Sequence, residues 1–315
     1  MSKLTISASV AALLLVFFGV LLSARPARAQ TKTVAERLGY PQDAKLLIIH
    51  GDDLAVAHSV DRATFAALDQ KAISSASVMV PCPWLTEVAA YAKGHPDADI
   101  GIHLTLTSEW KTYRWGPVAS TDQVPSLLDR EGYLWADTGP VGKNAKPEDA
   151  EREIRAQVER ALKAGIKPTH LDNHMGSLFA TPALFAAFVK VAREVHLPFL
   201  AVRVPNAPPQ MLAMLTDQDI VLDALVSAQE GVRPDAWKEY YAGILRTLKP
   251  GLTLLIVHLG YDDAELRAIT EGHPGWGADW RQRDFDVVTS PEFRRLLEEN
   301  HVTVVRWKDL QKLVP

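Results

Sequence analysis

The chain has 315 residues, of which 47% are hydrophobic and 23% are charged, a composition typical of a globular protein large enough for one α/β domain. This composition excludes disordered, fibrous and polytopic membrane proteins. The formal net charge of −4 argues against a nucleic-acid-binding protein, because such proteins usually carry a basic surface.

The first predicted segment is a signal peptide in residues 1–29. Lys3 precedes an apolar run of about 13 residues, which is shorter than the roughly 20 residues that a membrane-spanning helix needs. Residues 27–29 (ARA) then offer a cleavage site before Gln30. We therefore expect an exported protein, periplasmic or extracellular, with no stable membrane insertion after cleavage. An uncleaved N-terminal anchor is the alternative.

From residue 30 onward, short apolar runs alternate with segments of helical period. One predicted helix opens at Pro147 with two acids in its first turn and closes at Gly165. Alternating strands and helices predict a parallel sheet with helical crossovers, either an open doubly wound sheet or a (β/α) barrel. The apolar runs cover residues 46–50, 77–81, 100–106, 169–173, 199–204, 220–226, 254–258 and 302–305.

A long irregular segment, residues 108–145, interrupts this alternation. Its several Trp and Tyr residues argue against disorder, and connections of this length in compact domains are usually functional. We interpret it as an inserted binding loop over the active face. The alternative is a subdomain whose aromatic side chains pack on one another.

Histidine and acidic residues stand at the ends of four predicted strands. Because the carboxyl ends of parallel strands open on one face, we expect these side chains to converge. One aspartate and two histidines form a ligand set suited to zinc, and also to cobalt, nickel, iron or manganese. A divalent cation would also offset the repulsion between two adjacent buried carboxylates. The four groups are His50, Asp52 and Asp53; His103; His170, Asp172 and His174; and His258.

Four short motifs, in their order and spacing, resemble those of the YdjC-like (ChbG/HpnK-type) carbohydrate deacetylases. They are HGDDLA (50–55), GIHLTLT (101–107), PTHLDNHMGSL (168–178) and LLIVHLGYDD (254–263). The likeness spans residue 46 to about residue 313. It implies one domain, residues 30–315, with the distorted (β/α) barrel, NodB-like or TIM-like, of about seven parallel strands that is related to the polysaccharide deacetylases. It also implies hydrolysis of an N-acetylated carbohydrate, an oligosaccharide or a glycolipid, with release of acetate.

The resemblance also implies roles for individual residues. Asp53, His103 and His174 match the ligands of one divalent metal ion, zinc or magnesium, with cobalt, nickel and manganese as alternatives. Asp52 matches the general base that takes a proton from the attacking water. His258 matches a general acid that gives a proton to the departing amine.

Four further residues are candidates for supporting roles. Asp172 would contact a metal ligand, without binding the metal itself, and so orient that ligand. Arg203, at another predicted strand end, would pair with Asp52. The alternative is that Arg203 is a surface residue without a role in the site. Trp110 and Trp115 of the inserted loop would stack on the apolar faces of sugar rings.

The chain departs from the family pattern at three places beside these residues. His50 and Gly51 stand where the family usually has Asn and Ala, Met175 stands where further histidines are common, and Leu259 replaces a proline. Because these positions flank the expected metal, they leave the identity of the substrate open.

Two other functions fit parts of the pattern. A different metal-dependent hydrolase, a phosphoesterase or an amidohydrolase, could use the same strand ends, but a phosphoesterase predicts basic residues around the site. A non-catalytic carbohydrate-binding protein could keep the scaffold, but it would be expected to lose Asp52 or His258.

Overall fold

The computed structural model describes residues 32–203, 208–273 and 275–314, and the predicted signal peptide lies outside them. No helix of these segments is long and apolar enough to cross a membrane. The strands are β1 (Lys45–Leu54), β2 (Ser75–Val78), β3 (Ile100–Leu104), β4 (Leu171–Asn173), β5 (Ala224–Ser227), β6 (Gly251–Val257) and β7 (Val302–Val304). The helices are α1 (Val34–Arg37), α2 (His58–Asp69), α3 (Leu85–Gly94), α4 (Thr138–Asn144), α5 (Pro147–Lys163), α6 (Pro182–Glu194), α7 (Pro209–Leu212), α8 (Trp237–Thr247), α9 (Ala264–Ile269), α10 (Ala278–Val288), α11 (Pro291–Glu299) and α12 (Trp307–Gln311).

Strand β1 lies at the centre of a parallel sheet whose order is β4-β3-β2-β1-β6-β5, with β7 also paired to β1. Its apolar residues 46–49 are buried, as expected for a strand covered on both faces. Strand β6 pairs with residues 45–51 of β1. Strand β7 pairs with residues 45–47, and β2 pairs with residues 50–54.

One predicted strand is reduced to isolated contacts. Within residues 199–203, Phe199 forms a single bridge to Leu171 of β4, and Val202 forms another to Leu222, just before β5. The last residue of that predicted strand, residue 204, lies outside the described segments. The sheet curls into a half-barrel, to which this segment contributes isolated bridges and no regular strand. The predicted α/β fold, a distorted barrel of seven parallel strands in one domain, is confirmed.

Helix α5 begins and ends where the sequence predicts. Helix α5 begins at Pro147, carries Glu148 and Asp149 in its first turn, and ends at Lys163, just before Gly165. Gly165 has a φ of 90°, a left-handed conformation that glycine adopts at low cost when it ends a helix.

The C-terminal helix α12 closes the core around a buried histidine. The ring of His170 occupies the space that a side chain at Gly101 would need, because a Cβ there would lie 2.3 Å from the ring. On His170, Trp307 of α12 stacks with ring centroids 4.9 Å apart. The backbone N–H of Lys308 donates to Asp99 Oδ2 at 2.8 Å. Helix α12 is thus part of the core.

Candidate active site

The four strand-end groups converge on one cleft of about 560 Å³. Six of the predicted site residues line it: Asp52 and Asp53 at the end of β1, His103 on β3, His174 after β4, His258 after β6, and Trp110 of the inserted loop. A volume of this size is typical of small-ligand sites.

Asp53, His103 and His174 bring three ligand atoms together at the bottom of the cleft. Asp53 Oδ1 lies 3.4 Å from His103 Nε2 and 3.3 Å from His174 Nδ1. The two imidazole nitrogens are themselves 3.3 Å apart. Asp53 has a φ of 71°, in the left-handed region, which aspartate adopts more readily than most residues.

A carboxylate behind each histidine fixes which nitrogen faces this triangle. His103 Nδ1 donates to Asp172 Oδ1 at 2.8 Å, so His103 Nε2 faces Asp53. His174 Nε2 donates to Glu109 Oε2 at 3.1 Å, so His174 Nδ1 faces Asp53. Carboxylate partners of this kind orient metal-binding histidines and raise their basicity.

The charges around the triangle also favour a cation. Burial lowers the pKa of His174, but the nearby carboxylates of Glu109 and Asp53 outweigh it and raise the pKa to about 9. Burial raises the pKa of Asp53, but Arg281 and the two histidines outweigh it and hold the pKa well below its usual range. A bound metal would take the place of the protons that these histidines otherwise hold.

The donor set fits a divalent metal ion. Asp53 Oδ1 is buried and accepts no hydrogen bond from the described residues, so one lone-pair site is unfilled. In a tetrahedral site with ligand bonds of about 2.0–2.1 Å, neighbouring ligand atoms lie about 3.3–3.4 Å apart. The three separations of 3.3–3.4 Å agree with this value.

Asp52 and His258 face the cleft beside the triangle. Asp52 Oδ2 lies 3.7 Å from His103 Nε2 and 3.9 Å from His258 Nε2. Burial raises the pKa of Asp52 to about 6, although His103 and His50 pull it down. Burial lowers the pKa of His258 to about 3, so its imidazole is uncharged at neutral pH. The backbone N–H of His258 donates to Asp284 Oδ2 at 2.9 Å, which anchors the strand end.

His50 links the expected base to the residue behind His103. His50 Nε2 lies 2.8 Å from Asp172 Oδ2 and 3.3 Å from Asp52 Oδ1. His50 and Asp172 are both buried, and Ser77 Oγ donates to Asp172 Oδ2 at 2.9 Å. Asp172 therefore contacts His103, His50 and Ser77 at once, and it lies behind the triangle as the sequence predicts.

The expected pairing of Arg203 with Asp52 is wrong. Arg203 is exposed, and it forms no ion pair with Asp52. The arginine at the site is Arg281 of α10, whose Nη2 lies 2.7 Å from Asp53 Oδ2. Packing of α10 against the open end of the sheet places this guanidinium beside the other acid of the pair.

The inserted loop reaches the cleft through few residues. Trp110 and Trp115 are 3% and 4% exposed, and their rings meet edge to face with centroids 5.8 Å apart. Trp115 Nε1 donates to Thr107 O at 2.8 Å, and Trp115 does not line the cleft. Trp110 lines it with little free surface. These two side chains pack on one another, as the alternative interpretation of the loop expects, and leave no free face for a sugar ring.

Sequence reasoning missed three residues of the site: Glu109, Arg281 and Trp276. Glu109 lies five residues after the end of β3, so its closeness to a strand end was a usable signal. Arg281 lies in the segment ADWRQRDF, where nothing local marks it as a partner of Asp53. Trp276 lies between glycines in a loop and lines the cleft with 37% of its surface exposed.

Comparison with known proteins gives the family. The family model described as YdjC-like protein matches residues 46–299. This chain belongs to the YdjC-like family. The matched range contains the whole triangle, together with Asp52, His258 and Arg281.

Relatives of this YdjC-like protein are found among curated proteins and solved structures. The protein named carbohydrate deacetylase from Thermus thermophilus is 32% identical over 280 residues, covering 84% of this chain and 94% of that protein. A carbohydrate deacetylase from Brevibacillus brevis is 36% identical over 152 residues, covering 48% of this chain and 57% of that protein. A crystal structure from Enterococcus faecalis, named for a suggested role in cellobiose-phosphate cleavage, has a TM-score of 0.70 and 22% identity. It covers 85% of this chain and 99% of that chain, and it supports the fold.

Proposed function

We propose that this YdjC-like protein is a metal-dependent deacetylase that removes the acetyl group from an N-acetylated carbohydrate and releases acetate. The observation that carries the proposal is the triangle of Asp53, His103 and His174, open to a cleft that also holds Asp52 and His258. The curated relatives named carbohydrate deacetylase support the choice of reaction.

Asp53, His103 and His174 would hold the metal, through Oδ1, Nε2 and Nδ1 respectively. When bound, a divalent cation lowers the pKa of a coordinated water and polarises the carbonyl of the acetamide. Three protein ligands leave a position for water and substrate, which is the arrangement of catalytic rather than structural sites.

Asp52 would accept the proton of the attacking water, because its carboxylate is ionised above about pH 6 and faces the cleft. His258 would then protonate the leaving amine. At neutral pH its imidazole carries no charge, so it must first gain a proton. Asp52 Oδ2, 3.9 Å from His258 Nε2, would supply it through a bridging water, or directly once the two groups close to hydrogen-bond distance. The proton would thus pass from water to Asp52, then to His258, and finally to the amine.

The rival functions fit the cleft less well. A phosphoesterase would be expected to present basic side chains to its substrate, but among the described residues that line the cleft Arg281 is the single arginine or lysine. Its guanidinium is already paired with Asp53. A binding protein without activity would have no need of Asp52 and His258 facing the same cleft.

Metal removal and acetate release test the proposal. Purified protein should lose activity on chelation and regain it with one of zinc, magnesium, cobalt, nickel or manganese, assayed by acetate released from N-acetylated and O-acetylated saccharides. His103→Ala should lower the metal content measured by elemental analysis, whereas His95→Ala, at an exposed histidine outside the cleft, should not. A chelated enzyme with full activity, or His103→Ala with full metal content, would contradict the proposal.

We also propose that the mature protein acts outside the cytoplasm, in the periplasm or beyond. The support is the apolar run with its cleavage site in residues 1–29.

A further inference from the structure

Three large apolar side chains are exposed at the same cleft. Met175, Leu225 and Trp276 are 43%, 38% and 37% exposed, and all three line the cleft that holds the triangle. Large apolar side chains that are exposed in a concave site usually contact a ligand, because exposing apolar surface to water is energetically unfavourable.

Two of these side chains also have an unusual backbone. Met175 has a φ of 53° and Trp276 a φ of 56°, in the left-handed region that bulky residues rarely adopt. Such strain persists only where surrounding contacts enforce it, and it concentrates at functional sites. The fold therefore holds both side chains in the cleft against their local preference.

Arg281 ties Trp276 to the candidate metal ligands. Its Nε donates to the backbone oxygen of Trp276 at 2.7 Å, while its Nη2 lies 2.7 Å from Asp53 Oδ2. The Trp276 ring packs on Trp280 with centroids 5.1 Å apart and meets His258 with centroids 6.2 Å apart. One guanidinium thus sets the position of the indole relative to Asp53.

We propose that Trp276 is the surface on which the sugar ring carrying the acetamido group stacks, and that it thereby determines specificity. This inference rests on the proposed function for the identity of the ligand. A pyranose presents an apolar C–H face to a flat aromatic ring. Of the two tryptophans that line the described cleft, Trp276 has the exposed ring, because Trp110 is 3% exposed. Phe179 also lines the cleft, but it is less exposed than Trp276 and packs on Phe185.

The test separates stacking from general apolar contact. Trp276→Phe keeps a flat ring, and Trp276→Leu keeps apolar volume without one. Tyr40→Leu is the matched control, because Tyr40 is also 37% exposed and lies outside the cleft. The dissociation constant of the N-acetylglucosamine trimer is measured by calorimetry on metal-free full-length protein, so no turnover is needed. Trp276→Leu should raise it about tenfold, Trp276→Phe less than about threefold, and Tyr40→Leu not at all.

The possible results distinguish a failure of the stacking role of Trp276 from a failure of the proposed deacetylase activity. Unchanged affinity in Trp276→Leu, or no binding of the trimer by the unmodified protein, would overturn the role of Trp276. Equal losses in the Phe and Leu variants would also overturn it, because the flat ring would then not matter. The expected pattern of affinities without acetate release from any saccharide by the metal-loaded enzyme would support stacking and contradict deacetylation.

Discussion

Glu109→Ala should weaken metal binding without disturbing the fold. Glu109 Oε2 accepts from His174 Nε2 at 3.1 Å, and the carboxylate has 13% of its side-chain surface exposed. Its partner His174 is buried, but Glu109 itself lies close enough to the surface for water to reach the space that its carboxylate leaves. Asp172, which supports His103 in the same way, is a poorer target because it also contacts His50 and Ser77 inside the core.

The expected loss of metal affinity in Glu109→Ala results from two opposing effects. Removing a carboxylate behind a metal-binding histidine typically costs 10- to 100-fold in metal affinity, or about 1.4–2.8 kcal/mol. However, Glu109 and Asp53 together raise the pKa of His174 to about 9, and at about pH 7.5 a proton then competes with the metal by a factor of about 30. The variant lowers that pKa and relieves the competition. The loss should be largest near pH 9.5 and smaller near pH 7.5.

A competition titration with a chromogenic chelator at both pH values measures the effect, and thermal unfolding of the metal-free proteins checks the fold. Asp137→Ala is the control, because Asp137 is another carboxylate that lines the cleft, yet its side chain caps α4 instead of contacting a histidine. If Glu109→Ala and Asp137→Ala weaken the metal equally, or if neither weakens it at either pH, the role of Glu109 as a support for His174 is wrong.

Three further predictions concern catalysis, packing and export. Asp52→Asn should keep its metal and lose about 10²- to 10⁴-fold in kcat. Its pH–rate profile should lack the acidic limb near or below pH 6 that the unmodified enzyme is expected to show. Equal metal loss in Asp52→Asn and Asp53→Asn would mean that the two carboxylates bind the metal jointly. Trp115→Ala should destabilise the protein by about 3–5 kcal/mol, because the ring is buried, and a Tm within about 2 °C of the unmodified protein would refute this. Sequencing of exported protein should find Gln30 at or near the N-terminus, whereas an intact Met1 in the membrane fraction would favour the anchor.

The convergence of the strand ends could be predicted from the sequence because it depends on topology alone. Once the strands run parallel, every residue just after a strand faces the same edge of the sheet, whatever the details of packing. This is why Asp52, Asp53, His103, His174 and His258 all reach one cleft. The position of Asp172 behind His103 follows from the pairing of β3 with β4, in which the two residues are direct neighbours.

The contributions of loops and helices could not be predicted in this way. Arg281 reaches Asp53 from a helix 228 positions away in the chain, and only the packing of α10 decides which acid it meets. Whether a tryptophan in a long loop is buried, like Trp115, or exposed, like Trp276, depends on how the loop folds onto itself. Composition carries no information about that choice.

The contact between α12 and His170 means that the folding unit is longer than the part of the chain that carries the motifs. The match to the family ends at residue 299, before β7 and α12. A chain shortened to that point would lose Trp307, whose indole covers His170, and the Lys308 N–H that satisfies Asp99. The ring of His170 also meets the ring of His50 edge to face, with centroids 5.0 Å apart. Water that entered beside His170 would therefore reach His50, which contacts Asp52. Residues 300–314 thus cover the buried side of this polar cluster, and their removal would alter the site without changing any residue that lines the cleft.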